Sequence, residues 1–361
     1  MSKRKQERQG ISGMPPTCSG ELNLWDSHEN EKVMHAAQGA APMKASQSSD
    51  ESPGEALSEN NNALTTVHAT AGKALAKSRS KKRDELADRL AAGQLALWPE
   101  SERGIPNELV RCAVFSAKNR KERREVYRAN APLIVPVIGG GEVIYIGEEL
   151  RQDDETVWMQ LVHLAKESRS EWVSFTPYSF LKAVKWPNKG TSYTRLLTSI
   201  RRLSTSGIEV YSSRFDKGVS TKLIAKYEYA KKNDAPWKVQ VFNKEDELLF
   251  LFDKLYSRLD WEMRLALPEG VSTWLHGFFS SHREPFDHKI ETLAVGAGLA
   301  LDAPEDDQLD EAARTAKHKE RLREAKKTIK RALETLKTMG FLEHFEITRS
   351  GLVHVVRTAR M

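Results

Sequence analysis

Trp186-Pro187-Asn188-Lys189-Gly190-Thr191-Ser192-Tyr193-Thr194-Arg195-Leu196-Leu197 lies at the centre of residues 172–229, the stretch whose reading decides the fold. Upstream, Trp172, Phe175, Phe180, Leu181 and Val184 recur at roughly helical period, and the Pro and Gly of residues 186–190 break that helix into a turn. Downstream, Leu196, Leu197, Ile200 and Leu203 line one side of a second helix opening near Ser192, with Arg195, Ser199 and Arg202 on the other. Gly207 fits a left-handed stop. Residues 208–211 then alternate with period two, 214–218 form a polar turn, and 219–229 return as a strand. Helix, turn, helix and hairpin is the order of a winged helix, whose second helix can lie in the DNA major groove while the hairpin touches flanking backbone. The same topology also serves purely for packing or dimerisation, and one copy leaves both readings open.

A second copy closes the chain. Residues 289–293 read as its first helix, a Gly- and Ala-rich linker leads into acidic residues 302–307, and a long helix runs to about Met339. Leu322, Ala325, Ile329, Ala332, Leu333 and Leu336 give it an apolar seam. Lys319, Arg323, Lys326, Lys327, Lys330 and Arg331 stand opposite, interrupted only by Glu320, Glu324 and Glu334. Gly340 ends the helix, and strands at 341–347 and 352–357, joined by Thr348-Arg349-Ser350-Gly351, make the wing. A solvated coiled-coil face would mix both signs; a stripe of one sign fits a rod of phosphates. The candidate DNA-contacting residues are Tyr193, Thr194, Arg195, Ser199 and Arg202, with Arg214 and Lys217 in the first wing. In the second unit they are the six cations of the long helix, with Arg349 in the wing.

Between these landmarks, a helix is expected through Val110, Ala113, Val114 and Phe115, followed by strands at 133–138 and 143–147 across Gly139-Gly140-Gly141-Glu142. That glycine run joins strand to strand with no Lys-Ser or Lys-Thr after it, so it is a turn rather than a phosphate loop. Asp153, Asp154 and Glu155 open a helix carrying Val157, Trp158 and Leu161, where acids suit the positive end of the backbone dipole. Trp237, Val239 and Val241 add a strand to the first hairpin, and 245–255 read as a connecting helix. The fold class is therefore α+β: a disordered, partly basic tail at 1–92, a linker at 93–100, and tandem winged-helix domains at 101–244 and 245–361.

Of 361 residues 39% are hydrophobic and 29% charged, with a net charge of +6, which favours polyanionic partners without requiring them. Cys18 and Cys112 offer neither a disulfide framework nor a metal cluster, and no apolar run suits a signal peptide or a membrane span, so a cytoplasmic location is expected. No His-X-His pair, Gly-Lys-Ser, zinc cluster or nucleophile elbow occurs, so no enzyme activity, metal or cofactor is expected. His282, beside Arg283 and Glu284, is read as structural. In the linker, Gln94-Leu95-Ala96-Leu97-Trp98-Pro99 has two readings. Gln94, Leu95, Leu97 and Trp98 can form a linear motif gripping a sliding clamp, or Leu97 and Trp98 can pack on the chain's own core.

Pro106-Asn107, residues 145–158 from Tyr145-Ile146-Gly147 to Thr156-Val157-Trp158, and Ser280-Ser281-His282-Arg283-Glu284-Pro285 together resemble the TrfA family of plasmid replication initiators, from about Gln94 onward. The resemblance implies an initiator binding iteron repeats in double-stranded origin DNA and opening adjacent duplex to single strands. It also implies recruitment of the host sliding clamp, replicative helicase and chromosomal initiator protein, and a monomer–dimer equilibrium. An acidic insertion between 296 and 315 departs from the family pattern. The rival is a winged-helix transcriptional regulator on a palindromic operator, which has no need of a clamp motif.

Overall fold

The computed structural model describes residues 98–167, 172–213, 216–231, 235–242, 251–252, 256–302 and 310–359. The tail, Gln94, Leu95, Leu97, Arg214 and most of the expected helix at 245–255 lie outside the described residues.

The described chain opens with β1 (Glu102–Pro106), a single turn α1 (Asn107–Val110) and β2 (Phe115–Ser116). The helix expected through Phe115 is thus cut short. Leu109, Val110, Cys112, Ala113, Val114 and Phe115 are all buried, leaving no polar face for a surface helix to present. After β3 (Val126–Tyr127) and β4 (Leu133–Pro136), Gly139, Gly140 and Gly141 take φ of 102°, 107° and 111°, a run suited to glycine, and turn the chain into β5 (Glu142–Glu148). A Cβ on Gly141 would sit 2.4 Å from the Tyr211 carbonyl oxygen.

β6 (Leu150–Arg151), α2 (Gln152–Glu167), β7 (Val173–Phe175), α3 (Pro177–Ala183) and α4 (Gly190–Thr205) follow. Here the helix expected from Trp172 is corrected to a strand and a short helix. Thr176 Oγ1 accepts from Ser179 N at 3.2 Å and Pro177 fills the first turn, so the helix cannot begin earlier. Phe175 and Phe180 do pack together, 4.8 Å between ring centroids, but across the strand–helix junction. Gly207 is no left-handed stop either; Ser206 ends α4 in extended backbone and Gly207 begins β8 (Gly207–Ser212).

β8 and β9 (Lys217–Thr221) form the expected hairpin, but it extends β5 into a sheet of order β3-β5-β8-β9, with β4 also on β5. The single return strand expected to Tyr229 breaks, because consecutive Leu223 and Ile224 are both fully buried and a straight strand cannot point both inward. The chain restarts as β10 (Lys226–Glu228) and β11 (Trp237–Gln240); β11 pairs with β10, the far end of the expected return strand, and on its other edge with β7, in a sheet apart from β8 and β9. Then come β12 (Tyr256–Asp260), α5 (Trp261–Ala266), α6 (Val271–Ser280), β13 (His288–Lys289), α7 (Ile290–Gly296), α8 (Glu311–Thr338), β14 (Leu342–Ile347) and β15 (Leu352–Arg357). α8 starts on an Asp310 cap, whose carboxylate accepts from Ala313 N at 2.7 Å, and stops at Gly340 with φ 78°.

One order of elements therefore recurs. In α2-β7-α3-α4-β10-β11, which the β8–β9 hairpin interrupts after α4, and in α6-β13-α7-α8-β14-β15, the strand between the first two helices pairs with the last strand, giving sheets β10-β11-β7 and β13-β15-β14. Two apolar cores accompany them. One spans Trp98 to Trp261; the other takes Leu267 to Val355 with Ala117. β1 pairs antiparallel with β12, so both ends of the first core's sequence share a two-stranded ribbon.

α2 is buried along most of its length and begins with three carboxylates. Asp154, fully buried, accepts from Arg124 Nη1 at 2.7 Å and Arg202 Nη2 at 2.8 Å; Asp153 accepts from Arg124 Nη2 at 3.0 Å and Arg195 Nε at 3.2 Å. Glu155 takes Arg264 Nη2 at 2.8 Å, with both side chains buried. Burial opposes the charge on Asp153, but Arg124 and Arg195 outweigh it and hold the carboxyl below its ordinary pKa; at Glu155 burial wins and the pKa is raised. Removing one partner of such a buried set strands the others. Asp154→Ala is expected to cost about 3–5 kcal/mol in urea unfolding, whereas Arg201→Ala, exposed on the same helix as Arg202, should leave the urea midpoint close to that of the wild type.

Candidate nucleic-acid interface

α8 turns Ala325, Ile329, Ala332, Leu333 and Leu336 into the second core, as its seam predicts. Lys319, Arg323, Lys326, Lys327, Lys330 and Arg331 are all exposed. Lys327 Nζ donates to Glu324 Oε1 at 2.8 Å, and Arg323–Glu324 and Lys330–Glu334 are looser at 3.9 Å. These are solvent-facing pairs worth about 0–1 kcal/mol, easily exchanged for another anion. Lys319, Lys326 and Arg331 have no ion-pair partner among the described residues. Arg349 stands exposed at the β14–β15 turn, whose Gly351 has φ 83°. Arg331 also borders a cleft of about 1170 Å3 that α8 forms with the loop containing Lys118 and Arg120.

α4 distributes its charges differently from the sequence expectation. Ser199 and Arg202 are buried, and Arg202 is bound to Asp154; neither is placed to read bases. Arg195 is half-buried, stacked 3.7 Å from the Trp186 ring centroid and held by Asp153 and Glu269. Tyr193 Oη donates to Asn188 Oδ1 at 2.8 Å, Thr194 is exposed and donates to the Gly190 carbonyl at 3.1 Å, and Lys217 is half-exposed on β9. The outward row is Thr194, Thr198, Arg201 and Thr205, one helix position round from the expected one. Arg201, which the sequence reading missed, donates to Tyr229 Oη at 3.3 Å and lies 5.5 Å from that ring's centroid. The signal was available. Ser199 falls between Leu196, Ile200 and Leu203, and the acids at 153–155 needed cations.

Trp98, the described member of the linker motif, is buried. Its Nε1 donates to His163 Nδ1 at 3.0 Å, its carbonyl accepts from Lys166 Nζ at 2.8 Å, and its ring lies 5.5 Å from Tyr256 and 6.1 Å from Phe252. Gly104 makes room, since a Cβ there would come within 2.2 Å of the indole. In this conformation Trp98 is not available to a clamp pocket. His163 Nε2 lies 3.0 Å from Glu100 Oε2. Burial, then Arg103, lowers the His163 pKa to about 4 against the partial opposition of Glu100.

The family described as TrfA protein matches residues 58–357. Over 270 residues the chain is 28% identical to the plasmid replication initiator protein TrfA of Escherichia coli, covering 74% of this chain; it spans 65% of that relative's length. Among solved structures, domains 2 and 3 of RctB align at TM-score 0.46 and 11% identity, over 71% of this chain and 99% of that one. Pi initiator protein in complex with iteron DNA aligns at TM-score 0.39 and 11% identity, over 60% and 98%.

A histidine whose folded pKa is lowered binds its proton more readily in the unfolded chain, so its stabilising effect is full above about pH 6.5 and is lost as pH falls toward 4. The melting temperature should accordingly fall between pH 7 and pH 5. His163→Gln, which keeps an acceptor for Trp98, should melt lower at pH 7 and lose less on acidification; an identical pH profile would contradict this.

Proposed function

Because the chain belongs to the TrfA family, we propose that it is a plasmid replication initiator binding repeated duplex sites, the iterons, at an origin. The observation that carries the reading is the solvent face of α8, with six exposed cations over the buried seam. The two recurring units are read as tandem winged-helix domains meeting between Trp261 and Leu267, where one core gives way to the other. In this reading α8 enters the major groove, with Arg323, Lys326 and Lys330 facing base edges and Arg349 in the wing reaching backbone. Arg201 and the β10–β11 hairpin make the first unit's backbone contact.

Its chemistry is deformation rather than catalysis. Bending a site of this kind costs on the order of 1–6 kcal/mol, offset by contacts from two units at once, and strain of that size favours opening of adjacent duplex to single strands. Host helicase, chromosomal initiator and sliding clamp complete the proposed partners, and a monomer–dimer equilibrium would set how much initiator is active. A clamp contact falls to Gln94, Leu95 and Leu97 unless Trp98 leaves the core.

If α8 neutralises about six phosphates, log affinity should fall against log salt with a slope near −5. Lys326→Ala with Lys330→Ala should weaken binding to every duplex and reduce the slope by about 2, read by fluorescence anisotropy across a salt series; an unchanged slope would remove α8 from the interface. Footprinting on the cognate replicon separates initiator from regulator: spaced direct repeats support the first, a single palindrome the second.

A further inference from the structure

The block Ser280-Ser281-His282-Arg283-Glu284-Pro285 takes no part in the α8 reading. It closes α6. Ser281 N donates to the Gly277 and Phe278 carbonyls at 3.1 Å, His282 N to Phe279 O at 3.3 Å, His282 Nδ1 to Phe278 O at 2.9 Å, and Arg111 Nε holds Ser281 Oγ at 2.7 Å. The chain then turns outward at Arg283. Its carbonyl accepts from Arg357 Nη2 at 2.7 Å, and its exposed guanidinium has no partner among the described residues.

These arginines border a cavity of about 400 Å3 whose wall also includes Arg258, His282, Ser280 and Tyr256, with no carboxylate among the described residues that line it. Glu102 lies 3.5 Å from Arg258 Nε, and Asp260 and Glu284 line the neighbouring hollow, which Arg283 and Arg357 also border. Ser280 Oγ is buried and has no hydrogen-bond partner among the described residues. Burial first, then Arg111, against the opposition of the Phe278 carbonyl, pushes the His282 pKa down to about 4, so its ring is neutral in this wall at pH 7. Convergent guanidinium forks match the several oxygens of a tetrahedral oxyanion better than the two of a carboxylate.

We propose that this cavity is a phosphate-binding site, with Arg283, Arg357 and Arg258 around the anion and the Ser280 hydroxyl donating to it. The phosphate can be free, as inorganic phosphate or a nucleotide, or part of a nucleic-acid backbone; only the latter source rests on the DNA-binding reading above. The site is separate from the α8 face and can be tested without it.

The full chain in phosphate-free buffer is titrated with inorganic phosphate, ATP and duplex oligonucleotide, as wild type, as Arg283→Gln, and as Lys326→Ala with Lys330→Ala. Arg283 is exposed, so Arg283→Gln should melt like wild type without ligand. With a free source, phosphate or ATP raises the melting temperature of the wild type and the α8 variant, binds Arg283→Gln at least about tenfold more weakly, and duplex affinity is untouched by Arg283→Gln. With a backbone source, Arg283→Gln lowers the duplex salt slope by about 1. The proposal is overturned if neither response depends on Arg283, or if the phosphate response vanishes in the α8 variant instead.

Discussion

The cluster of carboxylates at the start of α2 is the constraint on which the arrangement depends. Asp153, Asp154 and Glu155 face the positive end of the helix dipole, but the dipole alone would not keep three acids out of water. Their partners come from three places: Arg124 from the loop before β3, Arg195 and Arg202 from α4, and Arg264 from α5. A buried ion set of this kind adds little net stability compared with packed apolar residues, yet any misplacement leaves a bare charge in the core. It acts as a register device. α4 must present Arg202 inward, and that rotation sends Arg201 outward.

Period and length explain what the sequence made legible. α8 offers several turns of seam and stripe, so its existence, its faces and its Gly340 stop could all be read from spacing alone. Short elements gave less. Val173 to Phe175 and Pro177 to Ala183 together mimic a helix by apolar spacing, and only the Thr176-Pro177 start separates them. β11 pairs with β10 as its place in sequence suggests, but its other partner β7 lies about sixty residues earlier, a pairing that local pattern does not encode. Arg202 was misread because cations on a helix are by default solvent-facing, and burial became visible only with the distant acids in place.

The two recurring units therefore share an order of elements but not a use of charge. In the first, arginines of α4 are spent on the chain's own carboxylates or on aromatic faces, and Arg201 is left as the exposed arginine beside Tyr229. In the second, acids near α8 are themselves exposed and weakly bound, so its cations are interchangeable between internal and external anions. Rigidity in one unit and available charge in the other follow from where the carboxylates sit. Trp98 adds to the first unit's rigidity. A pocket competing for its indole would have to replace the His163 acceptor as well as the apolar contacts, because an unpaired buried N–H is costly.

α8 also divides along its length. No described residue from Glu311 to Glu324 is buried, while Ala325, Ile329, Ala332, Leu333 and Leu336 all are. The first half, about 21 Å at 1.5 Å per residue, extends past the buried seam; Asp302 meets it through His318 at 2.7 Å and through the carbonyl that accepts from Arg321. A free helix of that length is marginal in water, since nucleation is unfavourable. Here the packed second half supplies the nucleus and the first half need only propagate from it, with the Asp310 cap closing the other end. The projecting turns thus depend on the seam for being helical at all, although of their side chains Leu322 alone among the described residues packs, half-buried, against the core.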